Sequence, residues 1–183
     1  MMRRDLRLYV ITEGGAPGRS HAAIAEAAIA GGATAVQLRM NTEPARAALA
    51  TAREIRAACR AAGVTFIVND RVDVALLAGA DGVHLGQDDL PAAEVRALMG
   101  PHAVIGVSAA TVAEAEAAAR AGADYLGVGA VYATATKADA GAPVGLGRLS
   151  EIRRAVRLPV VGIAGITPDT APAVIRAGAG RSR

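Results

Sequence analysis

The chain has 183 residues, enough for one domain with a real core, and 52 % hydrophobic against 20 % charged residues is an ordinary soluble balance. With one Phe and no Trp the core must come from Val, Ile, Leu and Ala, as in parallel sheets covered by helices, and the +3 formal charge is scattered over helix surfaces with few aromatics for base stacking, which argues against nucleic-acid binding. The lone Cys59 excludes an intrachain disulfide and fits a reducing, cytoplasmic setting, and the apolar run in MMRRDLRLYVIT is too short for a signal peptide or membrane span.

Short apolar runs at Leu6–Thr12, Ala35–Arg39, Thr65–Asn69, Gly82–Leu85, Val104–Ser108, Tyr125–Val131 and Pro159–Ala164 predict strands buried on both faces. Amphipathic segments between them predict helices. Thr42-Glu43-Pro44 and Thr167-Pro168-Asp169 each offer an N-cap followed by proline, and Thr111 with Glu114 fits a capping box. Gly31, Gly63 and Gly122 stand just past helix ends, where a left-handed residue is wanted. The phrases AGGATAVQL, LAGADGVHL and RAGADYLGV each close a helix and open a strand.

Strands recur at the interval of compact βαβ units, with no Pro/Ser-rich linker, so residues 1–183 read as one domain. Such a run predicts a TIM-type (β/α)₈ barrel with seven units present and the eighth missing. A doubly wound sheet is the weaker alternative, because ITEGGAPGRS lacks the G-x-G-x-x-G spacing. An eighth unit needs roughly 20–35 residues beyond Ala177, and the sequence there reads GAGRSR.

In a parallel barrel chemistry belongs at the C-terminal ends of the strands. Those ends carry Thr12 and Glu13, Gln37 and Arg39, Asn69 and Asp70, Gln87 to Asp89, Ser108, Thr134 to Lys137, and Gly165. Carboxylates at two strand tips and a Thr/Lys loop suit a magnesium-bound phosphate ester. Of the histidines, His84 reads as a satisfied core residue, and His21 and His102 read as exposed. Cys59 reads as a buried structural thiol, and no His/Cys cluster has zinc spacing.

The motifs VQLRMN, FIVNDRVDVALLAGADGVHLGQDDL, IGVSAAT, GADYLGVGAVYATATK and PVVGIAGITPD resemble, in that order, the thiamine phosphate synthase family and its wider superfamily with the thiazole tautomerases. The resemblance implies a Mg²⁺-dependent transferase that joins hydroxymethylpyrimidine diphosphate to thiazole phosphate and releases pyrophosphate. It implies small-molecule substrates, with no nucleic-acid or membrane partner. It assigns Asp70 and Asp89 to the metal, with helix capping as the plainer role for both. Gln37, Arg39 and Asn69 would contact the pyrimidine and its diphosphate, Ser108 and Lys137 the diphosphate, and Thr134 and Thr136 the thiazole phosphate. Gly165 would offer a backbone amide to that phosphate, with a simple loop glycine as its plainer role. Arg39, Ser108 and Lys137 carry most of the expected catalytic work by neutralising and positioning the leaving group.

The sequence departs from the family pattern in places. Asn41 stands where the family's Q-x-R-x-K has Lys. Losing a charged hydrogen bond of roughly 1.5–3 kcal/mol predicts diphosphate handling weakened by about tenfold to a hundredfold. Ala164 replaces the first Gly of the usual G-I-G-G-I, adding a methyl beside the thiazole-phosphate pocket. Ala110 and Ala130 stand where relatives can carry His, which argues against the tautomerase branch and its need for a base. The expected missing unit leaves three alternatives open: a truncated or frameshifted product, a barrel completed by a second chain, or a rim that works in part; an inactive remnant that only binds phosphate ligands is the alternative to the transferase.

Overall fold

A computed structural model describes residues 5–13, 18–40, 42–134 and 142–180. Strands and helices alternate in the order β1 (Tyr9–Glu13), α1 (His21–Ala30), β2 (Ala35–Arg39), α2 (Ala45–Ala62), β3 (Thr65–Asn69), α3 (Val72–Ala78), β4 (Gly82–Leu85), α4 (Ala92–Met99), β5 (Val104–Ser108), α5 (Val112–Arg120), β6 (Tyr125–Val128), α6 (Gly145–Ala155), β7 (Val160–Gly162) and α7 (Ala171–Arg176). The chain divides into two compact units. One runs to His84 and includes Ala97–Val104; the other comprises Leu85–Arg96 and the chain from Ile105 onward.

In the first unit β1, β2, β3 and β4 pair in parallel and in chain order. Every residue of β2, β3 and β4 except Arg39 is buried, so burial alone does not separate the two faces there. Register does. Ile11 lies beside Gln37, Gln37 beside Ile67, and Asn69 beside His84. Side chains alternate along a strand, so Gln37, Thr65, Asn69 and His84 share one face, and all four are buried. The opposite face carries Val36, Leu38, Phe66, Val68, Val83 and Leu85, the apolar surface that helices cover. Burying each such side chain contributes about 1.5–3 kcal/mol. Among the helices, α2 supplies Ala48, Ala52, Ile55 and Cys59 as its buried stripe. Burial pushes the Cys59 thiol up to about 11, which fits the structural role expected of it.

In the second unit β5, β6 and β7 pair in parallel. Gly106 lies beside Tyr125, and a Cβ at Gly106 would stand 2.1 Å from the tyrosine ring. The glycine therefore makes room for the largest fully buried side chain in the described residues. Val107, Leu126, Val128 and Val160 occupy the other face. There Gly162 lets α6 and α7 approach, since a Cβ would meet Val174 at 2.7 Å and Leu149 at 3.3 Å.

The N-terminal ends of the strands are closed by one device used in both units. Asp81, just before β4, accepts a hydrogen bond from the Phe66 amide at 2.9 Å and faces Arg56 at 3.6 Å, while Arg56 Nε donates to the Gly79 carbonyl at 2.6 Å. Asp124, just before β6, accepts from the Ile105 amide at 2.8 Å and pairs with Arg96 at 2.6 Å, while Arg96 donates to the Gly122 carbonyl at 3.1 Å. Each aspartate follows the glycine that ends a helix, which is the physical meaning of the repeated AGAD phrase.

Several local expectations change. Strand β1 starts at Tyr9, β6 stops at Val128 and β7 covers only Val160–Gly162. Gly63 and Gly122 are left-handed, but Gly31 has φ −79° and Gly32 takes the left-handed role at +88°. Thr42 does not cap α2, whose N-cap is Pro44 without a side-chain bond. Helix α7 begins at Ala171 rather than after Thr167, because the Thr170 hydroxyl accepts from the Thr167 amide and closes a turn ahead of the helix. Thr111 does cap α5, accepting from Glu114 N, but the Glu114 carboxylate returns to the Ala110 amide rather than to Thr111. His21 is half-buried rather than exposed, because its Nδ1 lies 3.0 Å from the buried Thr12 hydroxyl.

Candidate active site

The expected site residues that are described lie at or just beyond the C-terminal ends of the strands. In the first unit, Gln37 and Arg39 end β2 on the polar sheet face, with Gln37 buried and Arg39 half-buried. Asn69 ends β3 on the same face. The next residue, Asp70, has φ +56°, a left-handed conformation that asparagine, aspartate and histidine tolerate better than other side chains. The turn is held because the Asp70 amide donates to the His84 carbonyl at 2.9 Å and the Asp70 carbonyl accepts from Val72 at 3.0 Å. Asn69 Nδ2 then donates to Asp70 Oδ2 at 2.6 Å and orients the carboxylate.

Asp70 is not a helix cap. The N-cap of α3 is Arg71, and no side chain caps that end. Arg71 turns its guanidinium to Asp73, bonding both carboxylate oxygens at 2.8 and 2.6 Å. That hydrogen bonding holds the Asp73 carboxyl below the usual carboxylate range. The pair is a surface feature, with side-chain exposures of 32 % and 57 %.

In the second unit, Asp89 Oδ2 accepts from the Gly86 amide at 2.6 Å, so it closes its own loop rather than capping α4. Gly86 permits that approach, since a Cβ there would stand 3.0 Å from the same oxygen. Gln87 Nε2 donates to the Ser108 carbonyl at 2.6 Å and ties the loop to the end of β5. Sequence reasoning placed Gln87 on the rim without giving it this role. Nothing in the sequence marks the Thr12–His21 pair except that Thr12 ends an apolar run and His21 opens the following helix.

The loop after β6 is anchored at both ends. Val131 N donates to the Ile163 carbonyl at 2.8 Å, and Val144 N returns to the Ala130 carbonyl at 2.8 Å. Thr134 is half-buried at its near side. Asn41, Thr136 and Lys137 lie outside the described residues. Beside that anchor, Ala164 and Gly165 are consecutive left-handed residues at φ +70° and +65°. A Cβ at Gly165 would stand 2.7 Å from the Ala133 carbonyl and 2.7 Å from Tyr132, so Gly165 is not an interchangeable loop glycine. Ala164 accepts from the Tyr132 amide at 3.3 Å. Its methyl has a second consequence that the sequence did not show: a non-glycine residue held left-handed costs about 1–2 kcal/mol.

No group of three or more His, Cys, Asp and Glu side chains placed to hold a metal occurs among the described residues, and none of their helices is long and apolar enough to cross a membrane.

Residues 8–182 match the family described as thiamine monophosphate synthase. The chain is 52 % identical to a thiamine-phosphate synthase from Moorella thermoacetica, over 98 % of this chain and 85 % of that protein. It is 56 % identical to one from Roseiflexus castenholzii, over 94 % of this chain and 76 % of the relative. Among solved structures it resembles a thiamine phosphate pyrophosphorylase from Pyrococcus furiosus with TM-score 0.86 and 37 % identity, covering 97 % of this chain and 84 % of the other.

Proposed function

Because the chain belongs to the thiamine monophosphate synthase family, with the α/β TIM-barrel-type fold of its structural relative, we propose that it joins hydroxymethylpyrimidine diphosphate to thiazole phosphate, giving thiamine phosphate and pyrophosphate. The observation that carries this reading is the 52 % identity to a relative of that name over 98 % of the chain.

The bond broken joins the pyrimidine methylene carbon to a diphosphate oxygen, whose electron pair leaves with pyrophosphate. The bond formed uses the lone pair of the thiazole ring nitrogen, which becomes cationic. No proton moves, so no general base is needed, and the protein's work is to neutralise and position. Arg39 grips diphosphate oxygens in its planar fork. Ser108 and Lys137 add donors to the same group. Gln37 and Asn69 orient the pyrimidine from the polar face of the first unit. Thr134, Thr136 and the Gly165 amide receive the thiazole phosphate.

The donor chemistry fits Mg²⁺, which takes oxygen ligands, usually only one or two carboxylates plus substrate phosphate. Asp70 and Asp89 would hold it, and neither carboxylate caps a helix. When bound, the ion supplies charge neutralisation on the departing diphosphate. We also propose a cytoplasmic setting, with which a single buried thiol is compatible.

Pyrophosphate release by the purified chain, with both substrates and Mg²⁺, tests this directly. Release that requires both substrates and stops with EDTA is expected. No release with the full set, from a chain shown to be folded by circular dichroism, rejects the activity.

A further inference from the structure

Helix α2 has 18 residues and α3 has 7, so at 1.5 Å per residue they extend about 27 and about 10 Å. Where α3 ends at Ala78 and Gly79, the flank of α2 stays uncovered, leaving an open groove of about 670 Å³. Its lining alternates Arg53, Arg56 and Arg60 with Ala57 and Ala61, all from α2. Positions three and four apart lie side by side on a helix, about 5–6 Å between Cβ atoms, so the three guanidinium groups form one row over a floor of small side chains.

Charge decides what the groove can take. Arg56 is held by Asp81 and by the Gly79 carbonyl. Arg53 and Arg60 are exposed, and their guanidinium groups have no ion pair or hydrogen bond among the described residues. The nearby C-terminal ends of α2 and α3 each carry about half a negative charge, which offsets roughly one of the two unpaired guanidinium groups. The groove is therefore net cationic. Its volume lies within the usual range for small-molecule sites, about 300–1,000 Å³. Arg53 and Arg60 stand seven positions apart, about 10.5 Å along the axis, so their long side chains can reach one compact anion from two sides and fork to its phosphate oxygens.

The geometry points to a second anion site in this groove, on the helical side of the first unit and apart from the strand ends, that binds a compact diphosphate: inorganic pyrophosphate or the diphosphate of a nucleotide. Arg53 and Arg60 are its principal ligands, with Arg56 held to Asp81 and the Gly79 carbonyl between them.

The test is isothermal titration of the intact chain in EDTA at low salt, with pyrophosphate, ADP and adenosine as probes. It is done in an Arg39→Ala background so that the proposed diphosphate grip at the strand ends is removed. At least one of the two phosphate probes should bind and adenosine should not. Adding Arg53→Ala and Arg60→Ala should weaken that binding by about tenfold for each guanidinium lost, with the helical circular dichroism unchanged because both positions are exposed. Stronger binding of pyrophosphate than of ADP, or the reverse, tells which source of diphosphate the groove prefers. Equal affinity with and without the two arginines overturns the proposal. So does the absence of saturable binding by either phosphate probe, or adenosine binding as tightly as ADP. No turnover is measured, so failure here and failure of the transferase reading are separate results.

Discussion

Asp81 in one unit and Asp124 in the other are built into the same arrangement, and Asp70 and Asp89 are not. At the N-terminal ends of the strands each aspartate faces an arginine and a strand amide, and the arginine also takes up the carbonyl of a helix-ending glycine. At the C-terminal ends Asp70 accepts from the Asn69 side-chain amide and Asp89 from the Gly86 backbone amide. Backbone strain follows the same division, for the two non-glycine residues with positive φ among the described residues, Asp70 and Ala164, both follow strand ends. One end of each unit is assembled for stability. The other holds oriented oxygen atoms and strained turns, where ligand chemistry commonly accumulates.

Exchanging a carboxylate at each end should break that comparison if it is wrong. The largest effect is expected from Asp70→Asn, which keeps a side chain suited to left-handed backbone while removing the anionic oxygens. Mg²⁺-dependent pyrophosphate release should fall by about a hundredfold or more, with little change in the urea midpoint. Unchanged turnover would sink the metal role. Asp124→Ala should do the reverse. It leaves the Ile105 amide without its acceptor and takes the carboxylate from the half-buried Arg96, so stability should drop by about 2–3 kcal/mol, while the Michaelis constants stay put. A shift in those constants without loss of stability would mean that the two ends are not separate in function.

A smaller effect sharpens the account of strain. Ala164→Gly removes the left-handed penalty and should raise stability by about 1 kcal/mol, read as a higher urea midpoint. Gly165→Ala should lower it by more, because its Cβ has nowhere to go. If both substitutions prove neutral, the turn is not strained. The last effect is confined to alkaline solution. Burial raises the Cys59 thiol from about 9 to about 11, Arg56 opposing the rise and Asp81 adding to it. The thiol is therefore favoured protonated in the fold. Its contribution is complete below pH about 9 and is lost as pH rises toward about 11. Wild type should lose stability across that window relative to Cys59→Ala. Parallel curves for the two would show that the thiol titrates alike in folded and unfolded chains.

The alternation of strands and helices was legible because each apolar run was short and ended in polar or glycine residues. Four strands were placed to the residue: β2, β3, β4 and β5. The strand ends shifted where polar backbone partners rather than hydrophobicity set the limit, as at Val128 and Gly162. The site residues were visible as types at strand tips, but their conformation was not. Nothing in the letters N-D says that Asp70 is left-handed, or that Asn69 rather than a helix amide takes its carboxylate. The clamps at the opposite ends were half visible. The AGAD phrase repeats, yet the arginines that complete it, Arg56 and Arg96, sit 25 and 28 positions before their aspartates, too far for a local pattern to reveal.

The Tyr125 ring occupies the space that a side chain at Gly106 would need. In evolutionary language, the two positions form a single heritable choice. A relative that acquires a side chain at 106 must give up the ring at 125 in the same step, or pass through a poorly folded intermediate. Aligned members of the family should therefore show these two columns changing together, although neither residue touches the proposed chemistry.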